Sequence, residues 1–458
     1  MPSVEPVADR SRRALWTWLI LAAAAAIAVS VEIAAQALVV GSRDGQWVYG
    51  YVAPLSAPAV AAALGAIAAC CALLAASDVT GRRSATAQIV MWIAAAFAVQ
   101  ILLRTLAPFS FQQIFASDGA NSFYGVTRHY FASTVLRDFD RLRATFPIHA
   151  QSNMPGKLML VYALRSVSRR PDVLAWLVVA VSNLGSPLMY LFVRDLFDDE
   201  ATALCAAILY LFVPGKFFFF PLLNTATPVL VLALACLFAR WLKTRRTAYA
   251  IAIGIGIYAI VFFEPLALAI GLLFSVLLAD AVRSRRVRLG SLPWHGAAVL
   301  AGFAATYVVV YLTAGFDLAG AFRQVSAAAI AFNADERPYR IWLLANLREF
   351  LVATGACQAV LVGAALLGGR RARDGAHGST RTMAVVCAGL IAVLSALDLA
   401  GVNRGEVTRL WIFLACFFQI PAAYVCARLE SRAALAAVLA VTLLESALGA
   451  SMIGFVSP

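Results

Sequence analysis

The sequence predicts an all-α fold: a polytopic transmembrane protein of about 13 helices, forming one integral membrane domain over residues 1–458. Three observations lead there. The chain is 62% hydrophobic and 13% charged, against roughly 45–50% and about 25% for a soluble domain. Apolar runs of about 20 residues, the length that crosses a bilayer as a helix, recur along the whole chain. The basic residues fall in short clusters between those runs, as the positive-inside rule requires. A soluble enzyme, a disordered regulator, a secreted disulfide scaffold and a single-anchor protein are excluded. The net charge of +13 would suggest nucleic acid on a soluble chain. Here it reads as topology, so the expected partners include membrane lipids and no nucleic acid.

Arg10, Arg12 and Arg13 precede the first apolar run, 14–40. That run exceeds a signal-peptide core, so it reads as an uncleaved helix with the N-terminus cytoplasmic. Further spans are expected near 54–77, 87–109, 172–196, 201–220, 225–243, 246–263, 265–283, 292–314, 341–368, 382–401, 408–427 and 431–454. The inside connections then carry Arg82/Arg83, Arg194, Lys243/Arg245/Arg246, Arg283/Arg285/Arg286/Arg288, Arg370/Arg371/Arg373 and Arg428/Arg432. The apolar stretch from Lys157 to Val167 is too short to cross at about 1.5 Å per residue. Forcing it across would invert every later cluster. It reads as a helix that enters from outside without crossing, or lies on the surface; a short crossing helix is the rival.

The same parity places 41–53, 110–171, 214–224, Glu264-Pro265, 315–340 and 402–408 on the external face. Loops as long as 110–171 and 315–340 are usually functional or disordered. Their aromatics, prolines, glycines and paired charges favour function. The first is expected to hold surface helices and the catalytic site. The eight cysteines form no CxxC, and His129, His149, His295 and His377 are too scattered for a His-based metal cluster. No metal ligand set is assigned and no resident cofactor is called, with a divalent metal left open.

Candidate residues follow from the external loops. Asp118 reads either as an N-cap for a helix over 121–136 or as a general base at the membrane surface, beside Tyr124 and Tyr130. The run His149-Ala-Gln-Ser-Asn153-Met-Pro155-Gly-Lys157 is polar at the mouth of the short helix. Pro155 suits a first helical turn. Lys157 reads as an anion ligand together with helix N–H groups, or as a snorkelling lysine. His149 reads as a substrate contact or an ordinary loop hydrogen bond. Asn224 or Thr225 could cap the helix after the Phe217–Phe220 run. Glu264 interrupts an apolar stretch, which makes an ionisable group at that depth a functional candidate. Late in the chain stand Arg337-Pro-Tyr-Arg-Ile-Trp342 and Asn403-Arg404-Gly-Glu406-Val-Thr-Arg409-Leu-Trp411. Glu406 and Arg409 read as an i, i+3 ion pair or as part of a phosphate clamp, since guanidinium binds phosphate bidentately.

The order of these pieces, over roughly residues 87–427, resembles the GT-C membrane glycosyltransferases. That group includes protein O-mannosyltransferases, lipid A aminoarabinose transferases and actinobacterial arabinosyl- and mannosyltransferases. The likeness rests on Asp118 and Tyr124, Met154-Pro-Gly-Lys157, Tyr190-Leu-Phe-Val-Arg-Asp-Leu-Phe197, the Pro-bearing turn 214–228, Arg337–Trp342 and Glu406–Trp411. The resemblance implies an inverting transfer from a polyprenyl-phosphate-linked sugar, of the mannose or arabinose class, to a glycan or lipid acceptor of the cell envelope. It implies a site on the external face of a bacterial plasma membrane. Asp118 would be the base, with Asp44 as alternative because the family acid commonly follows the first helix. Arg404, Arg409, Lys157 and Arg337 would hold the donor phosphate. His149, Asn153, Tyr124, Asn224, Glu264 and Glu406 would contact substrate. The competing reading is a transporter or flippase of a lipid-linked or anionic solute. It draws on Asn183, Gly185, Ser186, Pro187, Asp398 and Glu445 within spans. A third reading is an inactive scaffold of the same fold.

Overall fold

The computed structural model describes residues 9–77, 84–371 and 378–458. Almost every element is helical, and the one sheet among the described residues is a short hairpin, Val40–Ser42 with Trp47–Tyr49. Eleven described helices are long and apolar enough to cross a membrane, or twelve if one sharply bent pair counts as a span. The expected multi-pass membrane architecture is therefore present.

Local chemistry sets where helices start and stop. Ser56 caps Ala57–Ala76 by accepting from Ala59 N–H at 3.3 Å. Asp199 caps Glu200–Leu211 through Ala201 and Thr202 N–H. The preceding helix ends one residue earlier, at Asp198 in the left-handed region, so the two form a tight hairpin.

Two spans differ from expectation. The segment 246–263 forms a helix, Thr247–Phe263, of 17 residues, shorter than the eleven. The segment 341–368 is broken at Gly355 into Tyr339–Thr354 and a helix from Ala356, bent by 99°. The first half packs on the hairpin, Pro214–Phe219 and Val407–Leu410; the second packs on Asp9–Ala34 and Gln419–Leu429. The loop 315–340 is also mostly helix, Leu318–Glu336, capped by Asp317 on Ala319 N–H at 3.0 Å.

The segment 110–171 is a packed string of short helices rather than an open loop. Ser110 and Gln113 form a reciprocal capping box that starts Phe111–Ala116. A second apolar core, separate from that of the main bundle, lies beneath the string; Phe115, Phe139, Met154, Leu158, Leu174, Leu223 and Phe316 are fully buried in it. The stretch near Lys157 is the ten-residue helix Gly156–Arg165, about 15 Å long, too short to cross. The expected helix over 121–136 is instead two, Phe123–His129 and Ala132–Arg137. Asp118 caps neither. Ser117 closes that turn by accepting from Gly119 and Ala120 N–H, each at 3.1 Å.

The bundle has two chemically different ends. At one, Asp280 pairs with Arg286 and Arg381 (2.7 and 2.5 Å), and Asp195 with Arg240 at 2.5 Å. Arg12 and Arg432 reach across it to the carbonyls of Leu429 and Ala75. Arg82, Arg83 and Arg373 lie outside the described residues. At the other end the chain terminus clasps the first loop: Gly454 N–H donates to Gly50 and Val52 N–H to Met452. This second end gathers the candidate site.

Candidate functional site

Two ion networks stand close together at this end. The first is buried. Gly156 lets the chain pass against the Phe262–Phe263 backbone, where a Cβ would lie 2.5 Å from the Phe262 carbonyl oxygen. That contact brings Lys157, 1% exposed, onto Glu264, which follows the last turn of Thr247–Phe263. Lys157 Nζ also donates to Asn153 Oδ1 at 2.7 Å, and Asn224 Nδ2 donates to Glu264 Oε2 at 3.2 Å. Four residues singled out separately in the sequence thus form one unit. The amides supply the hydrogen bonds that a desolvated pair needs. Lys157 does not snorkel, and Asn224 does not cap a helix.

The second network is half-open. Glu406 sits in the left-handed region at φ 59°. Arg337 Nη2 donates to Glu406 Oε1 at 2.9 Å, and Arg409 Nη2 donates to Glu406 Oε2. Burial would raise the Glu406 carboxyl, but Arg409 and Arg337 outweigh it and hold it below the ordinary carboxylate range. The loop is fixed from below by Tyr339–Thr354. Asn346 donates to the Asn403 carbonyl and accepts from Gly405 N–H (3.0 and 2.9 Å), and Glu349 accepts from the Thr408 N–H and hydroxyl. Arg337 lies over the Trp47 and Trp342 rings. Arg337 and Arg404 each donate to the other's carbonyl, and Arg404 lies over Tyr339.

The Arg409 Nε–H is buried and has no acceptor among the described residues. Arg337, Arg409 and Glu406 together line a cavity of about 540 Å³, with Trp47, Tyr49, Gly119, His149, Phe219 and the chain end at 454–457. His149 and Arg409 also border a small void against Asn153 and Asn224, which joins the two networks. Burial, then the Arg409 charge, push the His149 imidazole down to about 4. At neutral pH it is uncharged. Two guanidinium groups against one carboxylate therefore leave the cavity wall with a net positive charge, suited to an anion.

Other sequence candidates lie around this cavity. Asp118 is exposed at the rim beside Gly119, with its carboxylate over Gly125. Asp44 is exposed at the hairpin tip, two residues from Gln46 on the wall. Tyr124 turns away; its hydroxyl donates to the Arg169 carbonyl at 3.0 Å. Sequence reasoning passed over Trp47, Tyr49, Asn346, Glu349 and the chain end. Asn346 and Glu349 carried a signal, two polar residues at i, i+3 in an apolar helix. The hairpin and terminus carried none, because their role depends on tertiary closure.

No protein-family model matches the chain, and no curated protein matches it.

Proposed function

We propose that the protein is an inverting glycosyltransferase that takes a sugar of the mannose or arabinose class from a polyprenyl phosphate. The acceptor is a glycan or lipid of the cell envelope, on the external face of a bacterial plasma membrane. The observation that carries this reading is an aromatic-walled cavity lined by two guanidinium groups, Arg337 and Arg409, against the single carboxylate of Glu406. An acceptor oxygen attacks the anomeric carbon, and the bond from that carbon to the phosphate oxygen breaks. The acceptor proton passes to a rim carboxylate, Asp118 or Asp44. Arg409 and Arg337 hold the departing polyprenyl phosphate, by electrostatic stabilisation of its developing charge. Lys157, already engaged by Glu264, holds Asn153 at the adjoining void instead of contacting phosphate directly.

The test is transfer of radiolabelled mannose or arabinose from polyprenyl phosphate in membranes carrying wild type, Asp118→Ala or Asp44→Ala. Label reaching acceptor with wild type and lost in one variant supports the class and assigns the base. Absence of transfer with either donor moves the weight to the second reading. That reading, a transporter or flippase of a lipid-linked or anionic solute, draws on the helix break at Gly355.

A further inference from the structure

Around the break at Gly355 lie buried oxygens that no donor among the described residues satisfies. Gly355 has φ 96°, a region closed to residues with a Cβ. A Cβ there would also lie 2.3 Å from Gln358 Oε1, so that amide oxygen points at the break. Glu445 Oε2 accepts from Ala356 N–H at 3.2 Å, the first residue after the break. Gln419 Nε2 donates to the Thr354 carbonyl at 3.1 Å, on the other side of it. Gln358 Nε2 donates to Thr442 Oγ1 at 2.7 Å. Thr442, Glu445 and Ser446 are spaced i, i+3, i+4 and share the helix face turned to this point.

Thr354, Gln358, Gln419, Glu445 and Ser446 are all 0% exposed. Each still has an unpartnered oxygen: Thr354 Oγ1, Gln358 Oε1, Gln419 Oε1, Glu445 Oε1 and Ser446 Oγ. Glu445 has no ion-pair partner among the described residues. Unsatisfied buried acceptors of this kind are rare and costly. The set is oxygen only, which selects a hard cation over a soft one. It contains a single carboxylate, which balances one positive charge and not two.

We propose that the break binds a monovalent hard cation of the sodium class, with Glu445 as its counter-charge and Gln358, Gln419, Thr354 and Ser446 as neutral oxygen ligands. Glu445 lies seven residues before Met452 at the site end of its helix, about 10 Å along the axis. The ion therefore sits beneath the helix whose Asn346 and Glu349 hold the 403–409 loop. Bound there, it fixes the angle of that helix.

The experiment is heat unfolding of the purified full chain, with sodium chloride replacing choline chloride at constant ionic strength. Wild type is expected to gain a few degrees in Tm, saturably with sodium. Glu445→Gln, which keeps an oxygen for Ala356 N–H, is expected to lose the response. Ser446→Ala and Thr354→Val, milder changes that serve if Glu445→Gln does not fold, are expected to need about tenfold more sodium, the effect of losing roughly 1.4 kcal/mol. Identical wild-type curves in sodium and choline overturn the proposal. So does a Glu445→Gln protein that responds like wild type, or a wild type stabilised by acid and indifferent to sodium, which would assign a proton to Glu445. The readout is independent of sugar transfer, so either proposal can fail without the other.

Discussion

The Lys157–Glu264 pair and the Arg337–Glu406–Arg409 cluster stand side by side at one end of the bundle and are built for different tasks. In the first, one cation meets one carboxylate; both are nearly sealed from solvent, and Asn153 and Asn224 add hydrogen bonds to the pair. Nothing charged is left over for a ligand. In the second, two cations share one carboxylate on a cavity wall, which leaves one positive charge unbalanced there. Charge balance, rather than residue type, separates a structural clamp from a binding surface.

The largest effect that would break this comparison is on folding. Lys157→Met leaves Glu264 buried without its cation, expected to cost about 3–5 kcal/mol. The double variant Lys157→Met/Glu264→Gln should recover most of it, as read by yield and Tm in detergent. If Lys157→Met is as stable as wild type yet loses donor binding, the two networks exchange roles.

Arg409→Lys comes next. It keeps a charge near Glu406 but removes the planar fork and the Nε–H. Turnover is expected to fall by about 10²–10³, the usual consequence of losing a donor to developing charge, with Tm little changed. A steady-state transfer assay beside a thermal melt checks both halves.

The pH dependence sharpens the same contrast. Burial and Arg409 depress the His149 imidazole to about 4 from an ordinary 6.5. A depressed basic group makes the unfolded chain bind the extra proton first, so stability falls as pH drops from about 6.5 to about 4. His149→Gln should flatten that part of the Tm–pH curve. Glu406, held low by its arginines, contributes stability above the ordinary Glu range and loses it as pH falls through its lowered value. Glu406→Gln should remove that more acidic limb. A His149→Gln protein whose Tm–pH curve keeps the wild-type slope from pH 6.5 to 4 would contradict the buried placement of His149 beside Arg409.

The smallest effect is at Tyr124. Tyr124→Phe removes one hydrogen bond to the Arg169 carbonyl, worth about 0.5–1.5 kcal/mol. It should leave transfer unchanged in the same assay, because the hydroxyl points away from the cavity.

Much of this end was legible before folding was considered. Apolar period and basic punctuation place the spans, and parity alone brings 41–53, 110–171, 264 and 402–408 to one end. The short helix at Gly156–Arg165 follows from length. Individual roles were less legible. Lys157 and Glu264 are 107 positions apart, and only the close approach at Gly156 makes them partners. Arg337 reaches Glu406 because Asn346 and Glu349 fix the later loop, a tertiary arrangement with no local pattern. The bend at Gly355 is invisible to hydropathy, which registers composition and predicts a continuous span over 341–368 whatever the φ of a single residue.

The most direct test of the central contrast is the binding of a short-chain polyprenyl phosphate to the purified protein. Wild type, Arg409→Ala and Lys157→Met/Glu264→Gln would be compared by titration. The expected result is a Kd raised at least about tenfold in Arg409→Ala, roughly 1.4 kcal/mol, and unchanged in the double variant. Equal binding by wild type and Arg409→Ala, or loss confined to the double variant, would contradict the assignment of the half-open cluster as the anion site.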